Sequence, residues 1–254
     1  MRPKDKSSSR RVLVILSLVG SLWASPAAAQ TTAPGGNPAS RSPLAALADD
    51  FRHVVSVDAA AIGGSFAAAA LVAHQRDDEV ASEARTWSEA AFKAGNVGGD
   101  LSIQGGLALG TYLIGKVGHH DRAVALGRDL VGAQIVSGVI TQGLKFSAGR
   151  LRPDGSNHRS FPSGHASSAF ATASVLERHF GWKAAVPAYA FGAYVGAARM
   201  AEDKHFLSDV IAGAAIGIVA GHAATFDVHR QRVGVGVAPT DGGAALTFSI
   251  VPRP

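Results

Sequence analysis

Long segments rich in Ala, Leu and Val fill most of this 254-residue chain, and short polar or glycine-rich joints separate them. Such residues favour helices, and no repeat with a period of about 20 to 45 residues points to a solenoid. The segments lie at about residues 56–74, 79–95, 98–117, 121–147, 164–180, 183–200 and 206–228. The sequence therefore predicts an all-α fold, a helical bundle of ordinary domain size.

The pattern changes near residue 233, where VGVGVAP is followed by TDGG and then by AALTFSIVP. Alternating apolar residues on either side of an Asp-Gly pair are typical of a β-hairpin. The sequence predicts a C-terminal tail over residues 231–254 that contains two short strands. A lone hairpin is only marginally stable in water, so this tail must pack on the bundle, pair with a partner or fray.

The N-terminus has the layout of a secretory signal. Residues 1–11 are basic, residues 12–23 are apolar and uncharged, and residues 24–29 are mostly small. This order predicts a signal peptide over residues 1–29 with cleavage after Ala29, and hence an exported protein of the periplasm or envelope. An uncleaved anchor is the alternative, and the short apolar run argues against it.

The segment after the signal is rich in Pro, Gly, Ser and Thr, which predicts a flexible leader over residues 30–50 and a helical domain over 51–230. Of the 24 basic and 19 acidic residues, five and one respectively lie in the signal, so the net charge falls from +5 to +1. With that excess removed and aromatic residues at 7%, we expect no nucleic acid partner. The chain has no Cys, which excludes disulfides and Cys metal sites.

Membrane insertion is a separate question, because several predicted helices are uniformly apolar. Their uninterrupted apolar runs fall short of the about 20 residues that a spanning helix needs. Gly213, Gly217 and Gly221 form a ridge that allows close helix packing in a membrane or in a soluble bundle. The sequence favours a soluble or peripherally attached bundle over an integral one.

Three clusters between residues 145 and 209 carry charged or reactive side chains. In the first, Lys145 stands seven positions before Arg152, which Pro153 follows. Taken alone, two cations near a helix end and a proline stop are typical of a C-terminus that complements the helix dipole.

The second cluster is PSGH at residues 162–165. Ser163 is a suitable N-cap for the helix predicted after it, and helix N-termini bind anions through unpaired N–H groups. His165 would then lie in the first turn, beside any bound anion. An ordinary capped helix with an exposed histidine is the simpler alternative.

The third cluster contains Arg199, His205 and Asp209. If a helix begins near Lys204, His205 and Asp209 are i and i+4 and share a face. A carboxylate on one imidazole nitrogen would leave the other as a fixed lone pair for attack. The alternative is a polar pair that only stabilises a helix.

Together the clusters resemble the type 2 phosphatidic acid phosphatase family, which shares its core with bacterial class A acid phosphatases and vanadium haloperoxidases. That family carries K-x6-RP, PSGH and SR-x5-H-x3-D, and the same order and spacing stand at residues 145–153, 162–165 and 198–209. The resemblance, with flanking helices, covers about residues 55–228. It implies the helical bundle of this family and a phosphatase that acts on phosphate monoesters, either lipid phosphates such as phosphatidate or soluble ones.

The resemblance also implies roles for individual residues. His205 would be the nucleophile that forms a phosphohistidine, with Asp209 orienting it, while His165 would protonate the leaving group and then activate water. The groups implied to hold the phosphate oxygens are Lys145, Arg152, Ser163, Gly164 and Arg199. No metal or other cofactor is implied, and vanadate is expected to inhibit.

The chain departs from the family pattern at two places. Ala198 stands where the family usually has Ser, and only eight residues, Asp154 to Phe161, separate the first two motifs. The short spacing predicts an open pocket. The adjacent His119 and His120 lie in a glycine-rich joint without H-E-x-x-H spacing, which predicts a solvated loop.

Two further functions stay open. A vanadate-dependent haloperoxidase would use the same cationic site, although such enzymes are generally much longer. A non-catalytic envelope protein would keep the fold without turnover. An apolar face could give lipids access to the site, but a buried core predicts the same residues: Phe161, Phe170, Phe206 and Leu207.

Overall fold

The computed structural model describes residues 43–54, 56–225, 232–240 and 243–251. The helices in these ranges are α1 Pro43–His53, α2 Val57–His74, α3 Asp77–Ala84, α4 Glu89–Gly98, α5 Leu101–Val117, α6 Asp121–Ala148, α7 Gly164–Phe180, α8 Trp182–Ala201 and α9 Leu207–Ala224. The all-α bundle is therefore confirmed. The predicted signal peptide over residues 1–29 lies outside the described residues, as do residues 30–42 of the predicted leader.

Two predicted boundaries are wrong. The leader predicted over residues 30–50 overlaps α1, which begins at Pro43, because proline suits the first helical position and Ala and Leu favour helix. The segment predicted as one helix over 79–95 is two helices, α3 and α4. They are separated at Ser88, whose backbone is extended at the start of α4.

The centre of the bundle is the contact between α7 and α9, where the glycine ridge packs. A Cβ at Gly213 would lie 2.4 Å from the Ser163 carbonyl oxygen, and one at Gly217 would lie 2.3 Å from that of Ser167. Only glycine permits this approach, because the obstacle is backbone rather than a movable side chain. The ridge therefore brings the start of α9 against the start of α7, where two of the predicted clusters lie.

Gly217→Ala is expected to lower the free energy of unfolding by about 3 kcal/mol, because the added methyl group would overlap the α7 backbone. The matched control is Gly143→Ala in α6, where an added Cβ meets nothing within 4 Å. That change is expected to raise the free energy of unfolding by about 0.5–1 kcal/mol through helix propensity. Urea denaturation of both variants measures this, and equal effects would contradict the packing argument.

The C-terminal strands are β1 Arg232–Thr240 and β2 Gly243–Val251, which pair antiparallel with Val235 opposite Phe248. Both strands lie within residues 231–254, the range of the predicted tail. The Asp-Gly pair predicted to form the turn lies outside the described residues. The hairpin and the helical bundle belong to two compact units.

In the described part of the chain, α6 and α9 are long and apolar enough to cross a membrane, judged by length and composition. The uninterrupted apolar runs in the sequence do not reveal this for α6, because Arg128, Asp129 and Lys145 interrupt them. Most of the apolar segment of α9 is buried inside the bundle, as in the core helix of a soluble protein, whereas less than half of that of α6 is buried.

Candidate active site

One pocket gathers residues from all three predicted clusters. Lys145 in the last turn of α6, Arg199 in the last turn of α8 and His205 in the turn before α9 line it. Arg152 joins them from the α6–α7 connection, and Gly164 and His165 from the first turn of α7. Segments that are far apart in the chain thus meet because helix ends converge at this side of the bundle.

The pocket contains buried cationic donors that the protein leaves unsatisfied. Arg152 Nε and Arg199 Nε are buried without a hydrogen-bond partner among the described residues. An unpaired buried donor costs about 1–3 kcal/mol, which a bound anion would offset. Lys145 Nζ donates to the Arg159 carbonyl at 2.7 Å, and burial with the nearby Arg152 charge lowers its pKa to about 8.

Arg199 is held from outside the pocket. One terminal nitrogen donates to Asn96 Oδ1 at 2.8 Å and to Glu202 Oε2 at 2.7 Å, and Asn96 also donates to Glu202. These contacts fix the guanidinium plane while its Nε stays without a partner. Asn96 lies in α4 and Glu202 just after α8, and no motif in the sequence identifies either residue.

Ser163 is the N-cap of α7, as predicted. Its side chain accepts a hydrogen bond from the Ala166 N–H at 3.4 Å, and its own N–H donates to the Asp209 carbonyl at 2.9 Å. The second bond ties the start of α7 to the first turn of α9. Ser163 is fully buried, and Gly164 next to it lines the pocket.

His165 lies in the first turn of α7 at the pocket wall, as predicted. Its Nε2 is 3.9 Å from Asp100 Oδ2, the carboxylate that caps the start of α5. Burial and the Arg199 charge lower the pKa of His165 to about 4. A phosphate dianion in the pocket would raise that pKa, because an opposite charge favours the protonated ring.

The helical pairing predicted for His205 and Asp209 is wrong in its geometry. Helix α9 begins at Leu207 rather than near Lys204, so His205 lies in the preceding turn. Asp203 adopts a φ of 54° there, and the His205 N–H donates to the Arg199 carbonyl at 3.3 Å. The tertiary turn nevertheless places His205 Nδ1 3.8 Å from Asp209 Oδ2, which is longer than a hydrogen bond.

His205 is buried and neutral in this environment. Its Nδ1 has no hydrogen-bond partner in the described part of the chain. Burial, helped by the Lys145 charge, lowers its pKa to about 4 even though Asp209 acts in the opposite direction. An unprotonated imidazole of this kind can act as a nucleophile.

Asp209 is fully buried, and its carboxylate is saturated with donors. Oδ2 accepts from Ser160 Oγ at 2.5 Å and from the Phe206 N–H at 2.9 Å, while Oδ1 accepts from Arg150 at 2.7 Å. Burial alone raises the pKa of Asp209, but the His205 ring, the Ser160 hydroxyl and the Arg150 charge hold it below its ordinary value. Sequence reasoning missed both Arg150, which lies inside the first cluster between Lys145 and Arg152, and Ser160, which lies two residues before the second.

Two other features singled out in the sequence are Ala198 and the adjacent His119 and His120. Ala198 is fully buried, and a Cβ at Gly95 would lie 2.9 Å from its methyl group, so this position faces α4. His119 and His120 are exposed in the α5–α6 joint, in agreement with a solvated loop.

The apolar face considered as an access path to the site is not a continuous surface. Phe170 and Leu207 are buried in the core, and Phe161 is half-buried. The Phe206 ring lies 4.0 Å from the Arg150 guanidinium. These residues therefore serve packing, and any apolar access must come from elsewhere.

Part of the chain is similar to known proteins. The sequence profile of the PAP2 superfamily matches residues 127–232. Lipid A 1-phosphatase of Porphyromonas gingivalis is 36% identical over 111 residues, which cover 41% of this chain and 25% of that protein. This chain therefore matches about a quarter of the length of that curated relative.

A solved structure is also similar, the crystal structure of the first transmembrane PAP2 type phosphatidylglycerolphosphate phosphatase from Bacillus subtilis. It matches with a TM-score of 0.40 and 18% identity, over 73% of this chain and 95% of that one. The profile match holds every predicted site residue, from Lys145 to Asp209. Residues 127–232 are therefore similar to the PAP2 superfamily, in agreement with the resemblance that the three motifs indicate.

Proposed function

We propose that this chain is a metal-independent phosphatase that hydrolyses phosphate monoesters carried by lipids. The observation that supports this best is the pair of buried, unpartnered donors, Arg152 Nε and Arg199 Nε, in a pocket that also holds a neutral His205. Phosphoryl transfer depends mainly on positioning and on stabilising spread negative charge. A cationic pocket with a buried imidazole meets both needs.

In the proposed reaction, His205 Nε2 attacks phosphorus as the ester P–O bond breaks, and a phosphohistidine forms. His165, protonated once the substrate dianion is bound, gives its proton to the leaving alkoxide. The neutral His165 then takes a proton from water, whose oxygen attacks the phosphohistidine and releases phosphate. Asp209 stabilises the proton on Nδ1 throughout. Lys145, Arg152, Arg199 and the donors at Ser163 and Gly164 hold the equatorial oxygens.

Two observations favour a lipid substrate. The relative from Porphyromonas gingivalis is named for the phosphate of a lipid. In addition, Leu101 lines the pocket and is 44% exposed, and it begins a helix whose apolar side chains at Leu107, Ile114 and Val117 are 63%, 70% and 82% exposed. Large exposed apolar surfaces mark membrane or protein contacts. We therefore propose peripheral contact with the membrane of the cell envelope through α5.

Helix α6, on another side of the pocket, also exposes apolar side chains. Val139 and Phe146, on the helix that carries Lys145, are 55% and 72% exposed. Their position beside the pocket would let acyl chains stay in the bilayer while the phosphate reaches the cations. Exposed apolar side chains thus occur on two helices that supply residues to the pocket, α5 and α6, as an interfacial enzyme needs.

The discriminating measurement compares phosphate release from phosphatidate in vesicles with release from p-nitrophenyl phosphate, both in EDTA. Leu107→Gln with Ile114→Gln is expected to lower kcat/KM for vesicles at least about tenfold, because two apolar anchors are lost. Turnover of p-nitrophenyl phosphate should stay unchanged. The control is Val186→Gln, an equally exposed residue of α8 about 20 Å along that helix from Arg199.

The same preparation tests the other functions. Equal losses on both substrates would contradict the proposed membrane contact. Bromide oxidation with vanadate and peroxide would replace the phosphatase by a haloperoxidase. A folded protein with neither activity would indicate a non-catalytic envelope protein. Phosphatase activity that vanadate inhibits is the expected result.

The titration of Lys145 predicts how kcat/KM of the proposed phosphatase depends on pH. Its pKa is lowered from 10.5 to about 8, so the cation is lost as the pH rises through that value and kcat/KM should fall above about pH 8. Lys145→Arg keeps its charge at all these pH values and should move the alkaline fall upward. The exposed Lys93→Arg is the control. If kcat/KM of Lys145→Arg falls at the same pH as that of the wild type, the fall is caused by another group.

A further inference from the structure

Arg150 joins two buried carboxylates from distant parts of the chain. One terminal nitrogen donates to Asp209 Oδ1 at 2.7 Å, and the other donates to Asp77 Oδ2 at 2.8 Å. The guanidinium also lies 4.0 Å from the centre of the Phe206 ring. Both carboxylates are almost completely buried, so neither can exchange Arg150 for water without cost.

Asp77 also caps the helix that carries Asp209. The N-cap residue of α9 is Phe206, whose side chain has no oxygen to accept from the first N–H groups. Asp77 supplies that acceptor from α3: Oδ1 accepts from the Ser208 N–H at 2.9 Å and Oδ2 from Ser208 Oγ at 2.6 Å. The start of α9 therefore depends on a residue 131 positions earlier in the chain.

These contacts hold Asp209 against rotation. Ser160 and the Phe206 N–H occupy Oδ2, the oxygen that faces His205, and Arg150 occupies Oδ1. If Arg150 were lost, Oδ1 would be buried without a donor and the carboxylate could turn away from His205. The last residue of this hydrogen-bonded chain is His74 at the surface, whose Nδ1 lies 2.8 Å from Asp77 Oδ2.

We propose that Arg150 and Asp77 form a positioning pair that sets the orientation and charge of the Asp209 carboxylate toward His205. This inference rests on the proposed function and adds two residues that the motifs do not specify: Arg150, at a variable position of the first motif, and Asp77, outside all three. Arg150 can serve both carboxylates because its two terminal nitrogens donate from separate positions in one plane, whereas a lysine has a single nitrogen for both.

The proposal predicts pKa shifts of opposite direction for His205 when Arg150 or Asp77 loses its charge. Removing the Arg150 cation leaves the Asp209 charge uncompensated, so the protonated form of His205 becomes more favourable. Removing the Asp77 anion leaves Arg150 to act on Asp209 alone and has the opposite effect. The other ionisable groups near His205 are unchanged in both variants: Lys145 from α6, His165 from α7 and Arg199 from α8, with His74 beyond Asp77.

The test compares Arg150→Gln, Arg150→Lys and Asp77→Asn with the full-length wild type. The control is Arg76→Gln, which removes an exposed arginine that pairs only locally, with Glu79 at 2.7 Å. Two quantities are measured: kcat and KM for p-nitrophenyl phosphate, and the pKa of the His205 ring by NMR. The ring resonance is assigned by its loss in His205→Gln, so this readout needs no turnover.

Arg150→Gln is expected to lower kcat about 100-fold with KM changed less than about threefold, and to raise the His205 pKa. Asp77→Asn is expected to lower that pKa. Arg150→Lys should keep the pKa near the wild-type value and still lose kcat, because a single nitrogen cannot occupy both donor positions of the guanidinium.

Shifts of the same sign in Arg150→Gln and Asp77→Asn, or full kcat in Arg150→Lys, would overturn the positioning role. If Arg150→Gln fails to fold, the other two variants still decide the question. A wild type without any phosphatase activity would refute the proposed function, whereas the NMR titrations would still support or refute the pair.

Discussion

His205→Ala is expected to lower kcat at least about 10⁴-fold, because the proposed nucleophile is removed. The ring is buried and neutral, so it can attack without first losing a proton. Initial rates with p-nitrophenyl phosphate measure the loss. Rapid quenching of the wild type should also trap a phosphoenzyme that is stable in base and labile in acid.

The control for this prediction is His158→Ala, which removes an exposed histidine whose Nδ1 lies 3.1 Å from the Gly149 carbonyl oxygen. Thermal unfolding of both variants separates lost chemistry from lost structure. Unimpaired turnover in His205→Ala would show that another group attacks phosphorus. Loss of turnover with the phosphoenzyme still formed would place His205 in the second step instead.

Arg199→Ala is expected to lower kcat/KM about 10³-fold, within the range of arginines that stabilise phosphoryl transfer. Its Nε is buried without a partner, while Asn96 and Glu202 hold its other end. Inhibition by inorganic phosphate should weaken in parallel, because the same donor meets the product. Arg199→Lys should recover only part of the loss, since lysine keeps the charge but not the planar donors.

Arg122→Ala is the matched control, an exposed arginine in the first turn of α6, at the opposite end of that helix from Lys145. It should leave kcat/KM and phosphate inhibition unchanged. A loss smaller than about tenfold in Arg199→Ala would mean that the phosphate does not use this guanidinium. Circular dichroism checks that Glu202, left without its partner, does not unfold the end of α8.

Local chemistry explains why much of the fold was predictable. Ala-, Leu- and Val-rich segments form helices wherever they are long enough, and Ser163 caps α7 because a hydroxyl before an apolar helical run satisfies the free N–H groups. The prediction of one helix over 79–95 was wrong because the backbone becomes extended at Ser88, and the composition of the segment gives little sign of that change. The predicted end of the leader was wrong because Pro43 begins a helix. A proline can indicate a loop, but it is also a good first helical residue.

The motifs predicted which residues would meet but not how they would be held. His205 and Asp209 face each other through a turn with Asp203 at positive φ, not through helical spacing. Asp77, Asn96 and Glu202 support the site from segments that carry no motif. Their contribution depends on helix ends meeting in space, and hydrogen bonds between residues up to 131 positions apart leave no local signal.

Sequence alone determined the helical class, the cap of α7, the glycine ridge and the choice of eight candidate residues for a phosphate site, because each follows from short-range chemistry or motif spacing. Only the tertiary structure decided that the ridge packs α9 on α7, that Phe170 and Leu207 lie in the core, and that Arg150 donates to both Asp209 and Asp77. The reason is that burial and contact are properties of the packed chain. A given apolar or charged residue can end in the core, at the surface or in the site, and only its neighbours in space determine which.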